Sequence, residues 1–183
     1  MNNKEKLNNN KERKTTKRPK KMSEYGRQLA EKQKVKEMYG MREKQFKRFF
    51  KIATKSKEAT GDLLLSLLER RLDNVVYRLK LATTRRQARQ IIVHGHILVN
   101  GKKVYSPSYL ISLNSVVSLA SNVLEKEAFL GQVIDKRLKI GIKVPEWLEL
   151  DKVERKGRIL RYPVRSDIQV PIEENLIVEL YSK

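Results

Sequence analysis

The sequence contains no cysteine, which excludes disulfides and thiolate zinc sites. No apolar run approaches the roughly 18 residues that a membrane-spanning helix needs. The first 21 residues lack the apolar centre of a secretory signal and are instead rich in lysine and asparagine. Hydrophobic residues make up 39% of the 183 positions, which is enough for one sizeable domain or two small ones.

Acidic residues are scarce relative to basic ones. The chain has 41 lysines and arginines against 21 acids, a net charge of +20. The excess lies in residues 1–57, with 20 cations against 6 acids, and in residues 70–103, with 9 against 1. A compact chain with this charge repels itself unless a polyanion neutralises it. We therefore expect a nucleic acid, rather than an anionic membrane, to contact these two regions.

The N-terminal third predicts a basic arm followed by helices. Residues 1–21 have no hydrophobic period, so we expect a disordered arm that orders on its partner, with a solubilising tail as the alternative. Ser23 is positioned to cap the first helix. Further along, Phe46, Phe49, Phe50 and Ala53 recur with the period of one buried helix face. Lys44, Lys47, Lys51 and Lys55 lie off that face, and we expect phosphate contacts there.

The central stretch from Leu68 to Leu110 predicts helix, turn, helix and hairpin. Leu63 to Leu81 is apolar around much of its circumference and indicates one buried helical region, in which Asp73 can pair with a neighbouring arginine. Thr84 and Gln87 form a capping-box pattern for a helix that ends at His94. The helix carries Arg85, Arg86 and Arg89 on the arc opposite its apolar residues. Three arginines without an acid predict a basic face that binds RNA phosphates.

A hairpin follows over residues 96–104. Asn100 and Gly101 can supply the two positive φ angles of a type I′ turn, which would expose Lys102 and Lys103 at its tip. The only histidines, His94 and His96, make a poor metal site without a nearby cysteine or carboxylate, so they are either RNA contacts or structural residues. Beyond the hairpin we expect a strand at 116–120, a helix over 122–139, and strands after Trp147, at 158–162 and at 176–181. Trp147 is expected in the core.

The central stretch resembles the small RNA-binding module named after small-subunit ribosomal protein S-four, which tyrosyl-tRNA synthetases and some pseudouridine synthases also contain. The flanks are more specific. Ser23-Glu24-Tyr25-Gly26, Leu29 to Val35, Arg71 to Arg78 and the ending LIVELYSK resemble the S-four ribosomal protein family itself, of the bacterial or organellar branch. The resemblance covers about residues 17–183.

This resemblance implies a structural protein and not an enzyme. It would be a primary assembly protein of the small ribosomal subunit that binds the 5′ domain of the rRNA. The implied partners are ribosomal protein S-five, at an interface linked to decoding accuracy, ribosomal protein S-three, and mRNA in the channel through which it enters. Arg18 and Lys21 fall where the family has arginines of that channel. No cofactor, metal or homo-oligomer is implied, and the location is a bacterial cytoplasmic ribosome or, alternatively, an organellar one.

The expected fold class is α+β, with an N-terminal helical domain, a helix-helix-hairpin RNA-binding module and short antiparallel strands. The expected divisions are an arm at 1–22, the helical domain at 23–66, the module at 67–125 and a C-terminal segment at 126–183 that packs back on both. The family usually has a longer N-terminal leader, often with a cysteine zinc knuckle, which a chain without cysteine cannot form.

The alternative function is a free RNA-binding translational regulator, or an accessory of RNA modification, that uses the same module. The residues expected to bind RNA share a positive charge, or a polar side chain near the basic regions. They are Arg18, Lys20, Lys21, Tyr25, Arg27, Lys32, Lys34, Lys36, Lys44, Arg48, Arg70, Arg71, Arg78, Arg85, Arg86, Arg89, His94, His96, Asn100, Lys102 and Lys103.

Overall fold

The computed structural model describes residues 22–125, 128, 130–139 and 143–182. The predicted α+β class is confirmed, since helices at both ends of the described chain flank an antiparallel sheet. The elements, in order, are α1 (Glu24–Met38), α2 (Glu43–Ala53), α3 (Thr60–Glu69), α4 (Leu72–Arg78), α5 (Arg85–Val93), β1 (Ile97–Val99), β2 (Lys102–Lys103), β3 (Val116–Leu119), α6 (Ser121–Leu124), a π-helical turn (Leu130–Asp135), a helical turn (Lys136–Lys139), β4 (Leu148–Asp151), β5 (Lys156–Ile159), a 3₁₀ turn (Arg165–Asp167) and the C-terminal helix (Glu174–Ser182).

The first hydrophobic core joins the helices of the two chain ends. The predicted stripe of Phe46, Phe49, Phe50 and Ala53 is buried against α3 and the C-terminal helix. Each buried phenylalanine contributes about 2 kcal/mol or more by removal of apolar area from water. The C-terminal helix also packs along α1, so the first and last described helices of the chain stabilise one another.

The second core lies under the sheet. The strands are all antiparallel in the order β2-β1-β3-β5-β4, so the β4–β5 hairpin extends the sheet that the first hairpin begins. Residues of α4, α5, β1, β3 and β5 fill this core, together with Trp147, which is buried as predicted. Gly157 of β5 passes directly over Leu79, and a Cβ at that position would collide with the leucine.

The predicted helical region over Leu63 to Leu81 is found, but it is divided at Arg70 and Arg71 into the two helices α3 and α4. Three main-chain hydrogen bonds tie the break to the loop after the first hairpin: Leu72 N–H to Tyr109 O at 2.8 Å, Asp73 N–H to Pro107 O at 3.1 Å, and Ile111 N–H to Arg70 O at 3.0 Å. These backbone groups do not form the hydrogen bonds of a continuous helix, and a segment distant in sequence supplies their partners instead.

The predicted terminal strand at 176–181 is also wrong, because these residues form the C-terminal helix. Ile177 is buried in the first core, and the ring of Tyr181, one turn later, stacks on Phe50 with centroids 4.4 Å apart. A short β-branched run is ambiguous between strand and helix. Tertiary packing against α1 and α3 decides it here.

Candidate nucleic-acid interface

The outer face of α2 is an unpaired row of cations. Lys44, Lys47, Arg48 and Lys51 are exposed and repeat at i, i+3, i+4 and i+7. The buried stripe that begins at Phe46 has the same spacing but starts two residues later, which rotates it by about 200° to the opposite side of the helix. Within the described ranges none of these four cations has a salt-bridge partner. We call these four residues the α2 cation row.

The only acid of α2, Glu43, is already neutralised by other residues. Its carboxylate accepts from Lys36 Nζ at 2.6 Å, Lys32 Nζ at 3.0 Å and the Tyr181 hydroxyl at 2.9 Å. The Lys36 hydrogen bond is the main reason that the pKa of Glu43 falls to about 2. Lys32 and Lys36, both predicted RNA contacts, therefore lie in an internal ion-pair cluster with side chains only 12% and 14% exposed.

The predicted three-arginine face of α5 is reduced by the structure to one exposed arginine, Arg86. Arg89 donates to the Asp73 carboxylate at 2.8 Å and to the main-chain carbonyls of Tyr39 and Gly40. Arg85 donates to Asn74 Oδ1 at 2.9 Å, and its guanidinium lies against the rings of Tyr39 and Tyr77. The helix itself has no acid, but the neighbouring α4 supplies one.

These contacts belong to a buried polar junction between the two cores. Glu69, 1% exposed, accepts from Arg78, Tyr39 and Asn74. Burial alone would raise the pKa of Glu69, but the hydrogen bonds, led by that of Arg78, leave it below its ordinary value. Burial and the nearby Glu69 carboxylate raise the pKa of Tyr39.

The second part of the junction is centred on Asp73. Arg71, 2% exposed, forms a double hydrogen bond with the Asp73 carboxylate at 2.9 and 3.1 Å. The predicted pairing of Asp73 with a neighbouring arginine is confirmed. Arg71 and Arg78, both predicted RNA contacts, are thus held inside the protein by Asp73 and Glu69. We call the set Tyr39, Glu69, Arg71, Asp73, Asn74, Arg78, Arg85 and Arg89 the polar junction.

The first hairpin presents its two lysines as predicted. Asn100 and Gly101 have φ angles of 49° and 77°, which confirms the predicted pair of left-handed residues, and Lys102 and Lys103 are exposed on the edge strand β2. The Asn100 side chain accepts from the main-chain N–H of Val116 at 2.8 Å, so it fixes the turn to β3.

The remaining predicted RNA contacts are spread over other surfaces. Tyr25, Arg27 and Lys34 are exposed on α1, where Lys34 pairs with Glu31 at 3.1 Å. Arg70 is half-buried with its guanidinium 3.8 Å from the Tyr162 ring centroid. His94 is exposed, His96 is half-buried, and their rings stack at 5.9 Å. Arg18, Lys20 and Lys21 lie outside the described residues.

Two members of the α2 cation row, Lys47 and Lys51, were expected to contact phosphate because they lie off the apolar face of the helix, although they are not among the individual residues expected to bind RNA. The available signal was the register of the lysines, two positions ahead of the phenylalanine stripe. A groove lined by Arg48, Ile52, Ser108 and Tyr109 places α2 beside the loop that follows the hairpin. The α2 cation row therefore lies next to the loop that follows the first hairpin.

The described residues contain no group of three or more His, Asp or Glu side chains arranged to hold a metal ion. Every helix in the described ranges is too short or too polar to cross a membrane.

Comparison with known proteins identifies the family. The model of the ribosomal protein S4/S9 N-terminal domain matches residues 1–69, and the S4 domain model matches residues 70–117. The chain is 51% identical over 173 residues to small ribosomal subunit protein uS4 of Aquifex aeolicus, covering 91% of this chain and 79% of the relative. It is 50% identical to the uS4 protein of Halothermothrix orenii, with 89% of this chain and 77% of that protein covered. These relatives are structural ribosomal proteins rather than enzymes, and the chain belongs to the uS4 family of small ribosomal subunit proteins.

Proposed function

We propose that the chain binds the 5′ domain of small-subunit rRNA as an early assembly protein, and that the α2 cation row is the centre of its RNA-binding surface. The observation that carries the proposal is the absence of any carboxylate partner for these four exposed cations in the described chain. Cations without a partner inside the protein remain available to RNA phosphates. When they bind, they release the counterions condensed on the RNA backbone, which favours binding.

The hairpin lysines and Arg86 extend this surface. Lys102 and Lys103 occupy a strand that pairs with β1 at the edge of the described sheet, and Arg86 lies in the first turn of α5. Helical RNA is recognised chiefly through its shape and its backbone, which suits several separated cations on a rigid frame. The arginines of the polar junction act differently, because they hold the surface in place from within.

The test is the salt dependence of binding to a transcript of the rRNA 5′ domain. Lys44→Gln, Lys47→Gln and Lys51→Gln together should reduce the slope of log K against log salt by about 3, at about 1 for each phosphate contact. Glutamine has nearly the helix propensity of lysine, so the fold should be retained.

A matched control removes the same charge elsewhere. The control variant combines Arg155→Gln, Lys156→Gln and Arg158→Gln. These three residues lie in or beside β5, on the sheet rather than on the helices of the first core. We expect this triple variant to leave the slope within about 1 of the wild type. Equal losses in both variants would mean that binding depends on net charge alone, and the α2 cation row would lose its assigned role.

We propose in addition that the face formed by the start of α1 and the C-terminal helix contacts ribosomal protein S-five. Support comes from the two family-like end segments, which meet here: Gln28 Nε2 donates to Glu179 Oε2 at 3.0 Å. Tyr25 is 59% exposed beside this contact and offers an aromatic anchor. Tyr25→Ala should weaken binding to purified S-five at least fivefold without changing the rRNA slope, whereas equal affinity would place the contact elsewhere.

Contacts with ribosomal protein S-three and with mRNA in its channel complete the proposal. Their support is the family resemblance alone, through Arg18 and Lys21. Arg18→Gln with Lys21→Gln should lower crosslinking of mRNA to the chain in assembled subunits, while subunit assembly stays normal. Unchanged crosslinking would remove the channel from the proposal.

A further inference from the structure

A small pocket at the end of α4 has four basic side chains in its lining. It has a volume of about 60 Å³ and lies between the end of α4 and the segment before β4. A single water needs about 10–15 Å³ of such space, so the pocket has room for a few oxygen-sized atoms but not for a base. Its lining consists of Tyr77, Arg78, Lys80, Arg137, Lys143 and Pro145.

No acid lines this pocket within the described ranges, although one of its cations is paired with a carboxylate that lies outside the lining. Arg78 pairs with Glu69 at 2.7 Å. Arg137 donates to the main-chain carbonyls of Thr83 and Tyr77, and its buried Nε–H has no acceptor in the described part of the chain. Neither Arg137 nor Lys143 has a salt bridge among the described residues.

Lys80 is held in the pocket wall at a conformational cost. Its φ is +63°, a region that costs a residue with a side chain about 1 kcal/mol or more. Its neighbours Leu79 and Leu81 are fully buried, which fixes the backbone there. Lys80 is itself only 6% exposed, and burial, together with the positive charges of Lys152 and Arg137, lowers its pKa. A bound anion would favour the charged form of Lys80 by offsetting its burial and the repulsion from the neighbouring cations.

We propose that this pocket binds a phosphate group, separately from the α2 cation row. Size excludes a nucleobase from the pocket, and the converging cations favour a compact polyoxygen anion. Two ligands carry this chemical group, the backbone of the rRNA and free inorganic phosphate. The RNA source rests on the proposed function, whereas the pocket's affinity for inorganic phosphate does not.

The test variant is Lys80→Gly in the full chain. Glycine adopts a φ of +63° without strain, so the backbone of this variant should keep its conformation while the pocket loses one cation. Arg155→Gly is the matched control, since Arg155 is also a cation with positive φ, at +50°, but does not line the pocket. Lys143→Gln, in an exposed position of the lining, is a second variant that leaves the backbone unchanged.

Two measurements separate the sources. The first measurement is thermal unfolding in inorganic phosphate, compared with chloride at equal ionic strength. Phosphate should stabilise the wild type and Arg155→Gly, and the concentration dependence gives an apparent Kd for phosphate. This Kd should be at least tenfold lower in these two proteins than in Lys80→Gly or Lys143→Gln. Binding to the rRNA 5′ domain should show a salt slope smaller by about 1 in Lys80→Gly than in Arg155→Gly.

A difference in the phosphate measurement alone supports free phosphate as the ligand, and a difference in the RNA slope alone supports a backbone phosphate. If Lys80→Gly and Arg155→Gly behave alike in both measurements, the pocket proposal is overturned. Failure of the wild type to bind rRNA would refute the proposed function, while the inorganic phosphate measurement would still decide the pocket.

Discussion

Helices α2 and α5 are both strongly basic in sequence, yet the structure uses their charges in opposite ways. The α2 cation row faces solvent without a carboxylate partner in the described chain, whereas Arg85 and Arg89 of α5 turn inward to Asn74 and Asp73. The acid that α5 lacks stands 16 positions before Arg89, on another helix. Net charge along a sequence is therefore a poor measure of charge at the surface, because buried acids from other elements neutralise part of it.

The largest effect should come from Asp73→Asn. This change leaves Arg71, 2% exposed, without its carboxylate and also removes the ion pair of Arg89. Removing one partner of a buried pair costs about 3–5 kcal/mol, so denaturant unfolding should show a loss of that size. Asp62→Asn, an exposed acid of α3, should change the free energy of unfolding by about 0.5 kcal/mol or less. Similar losses in the two variants would show that the polar junction does not stabilise the fold.

Arg89→Met should separate the roles of the two helices. The change removes donors from Asp73 and from the carbonyls of Tyr39 and Gly40, but Asp73 keeps Arg71. We expect a loss of about 2 kcal/mol in the free energy of unfolding, with the rRNA salt slope of the folded protein unchanged. A slope reduced by about 1 would instead make Arg89 a phosphate contact, as the sequence alone suggested.

Acid should weaken the cluster around Glu43. The folded pKa of this carboxyl is about 2, below its ordinary 4.5, so the folded state binds its proton less readily than the unfolded state. The stabilisation is complete above the ordinary pKa and disappears as pH falls toward 2. Because Glu43 is 47% exposed, the contribution should be about 1 kcal/mol. Unfolding at pH 5 and pH 2 should show this extra loss in the wild type and not in Glu43→Gln; equal losses would contradict it.

The smallest effect on stability should come from Arg86→Gln. Arg86 is the one arginine of α5 that is exposed, so the free energy of unfolding should change by about 0.5 kcal/mol or less. The rRNA salt slope should nevertheless fall by about 1. An unchanged slope would confine the RNA-binding surface to α2 and the hairpin.

Local signals in the sequence were sufficient for several features of the fold. The Ser23 cap is confirmed by its acceptance of the Gly26 N–H at 3.1 Å, and the Thr84 cap by its acceptance of the Gln87 N–H at 3.1 Å. The phenylalanine stripe and the Asn100-Gly101 turn are also confirmed. Each of these depends on residues within one helix or one turn, where spacing and φ preference determine the outcome.

The features that differ from expectation share another cause, since each was decided by residues far away in sequence. The break at Arg70 is held by the loop around Tyr109, and the C-terminal helix by packing on α1. The inward turn of Arg89 depends on Asp73 and on carbonyls some 50 positions earlier. Helical periodicity correctly separated the arginines from the apolar face of α5, but it contains no information about which other element covers that side.

The tied break between α3 and α4 has a consequence for assembly. Its three hydrogen bonds connect the loop beyond the hairpin to the segment that joins the two cores. The angle between the α2 side and the hairpin side of the molecule is thereby set before any ligand arrives. An RNA that docks on one side meets the other already oriented, so little rigid-body freedom remains to be lost on binding. A fixed arrangement of this kind would suit the proposed recognition of one folded form of a long RNA.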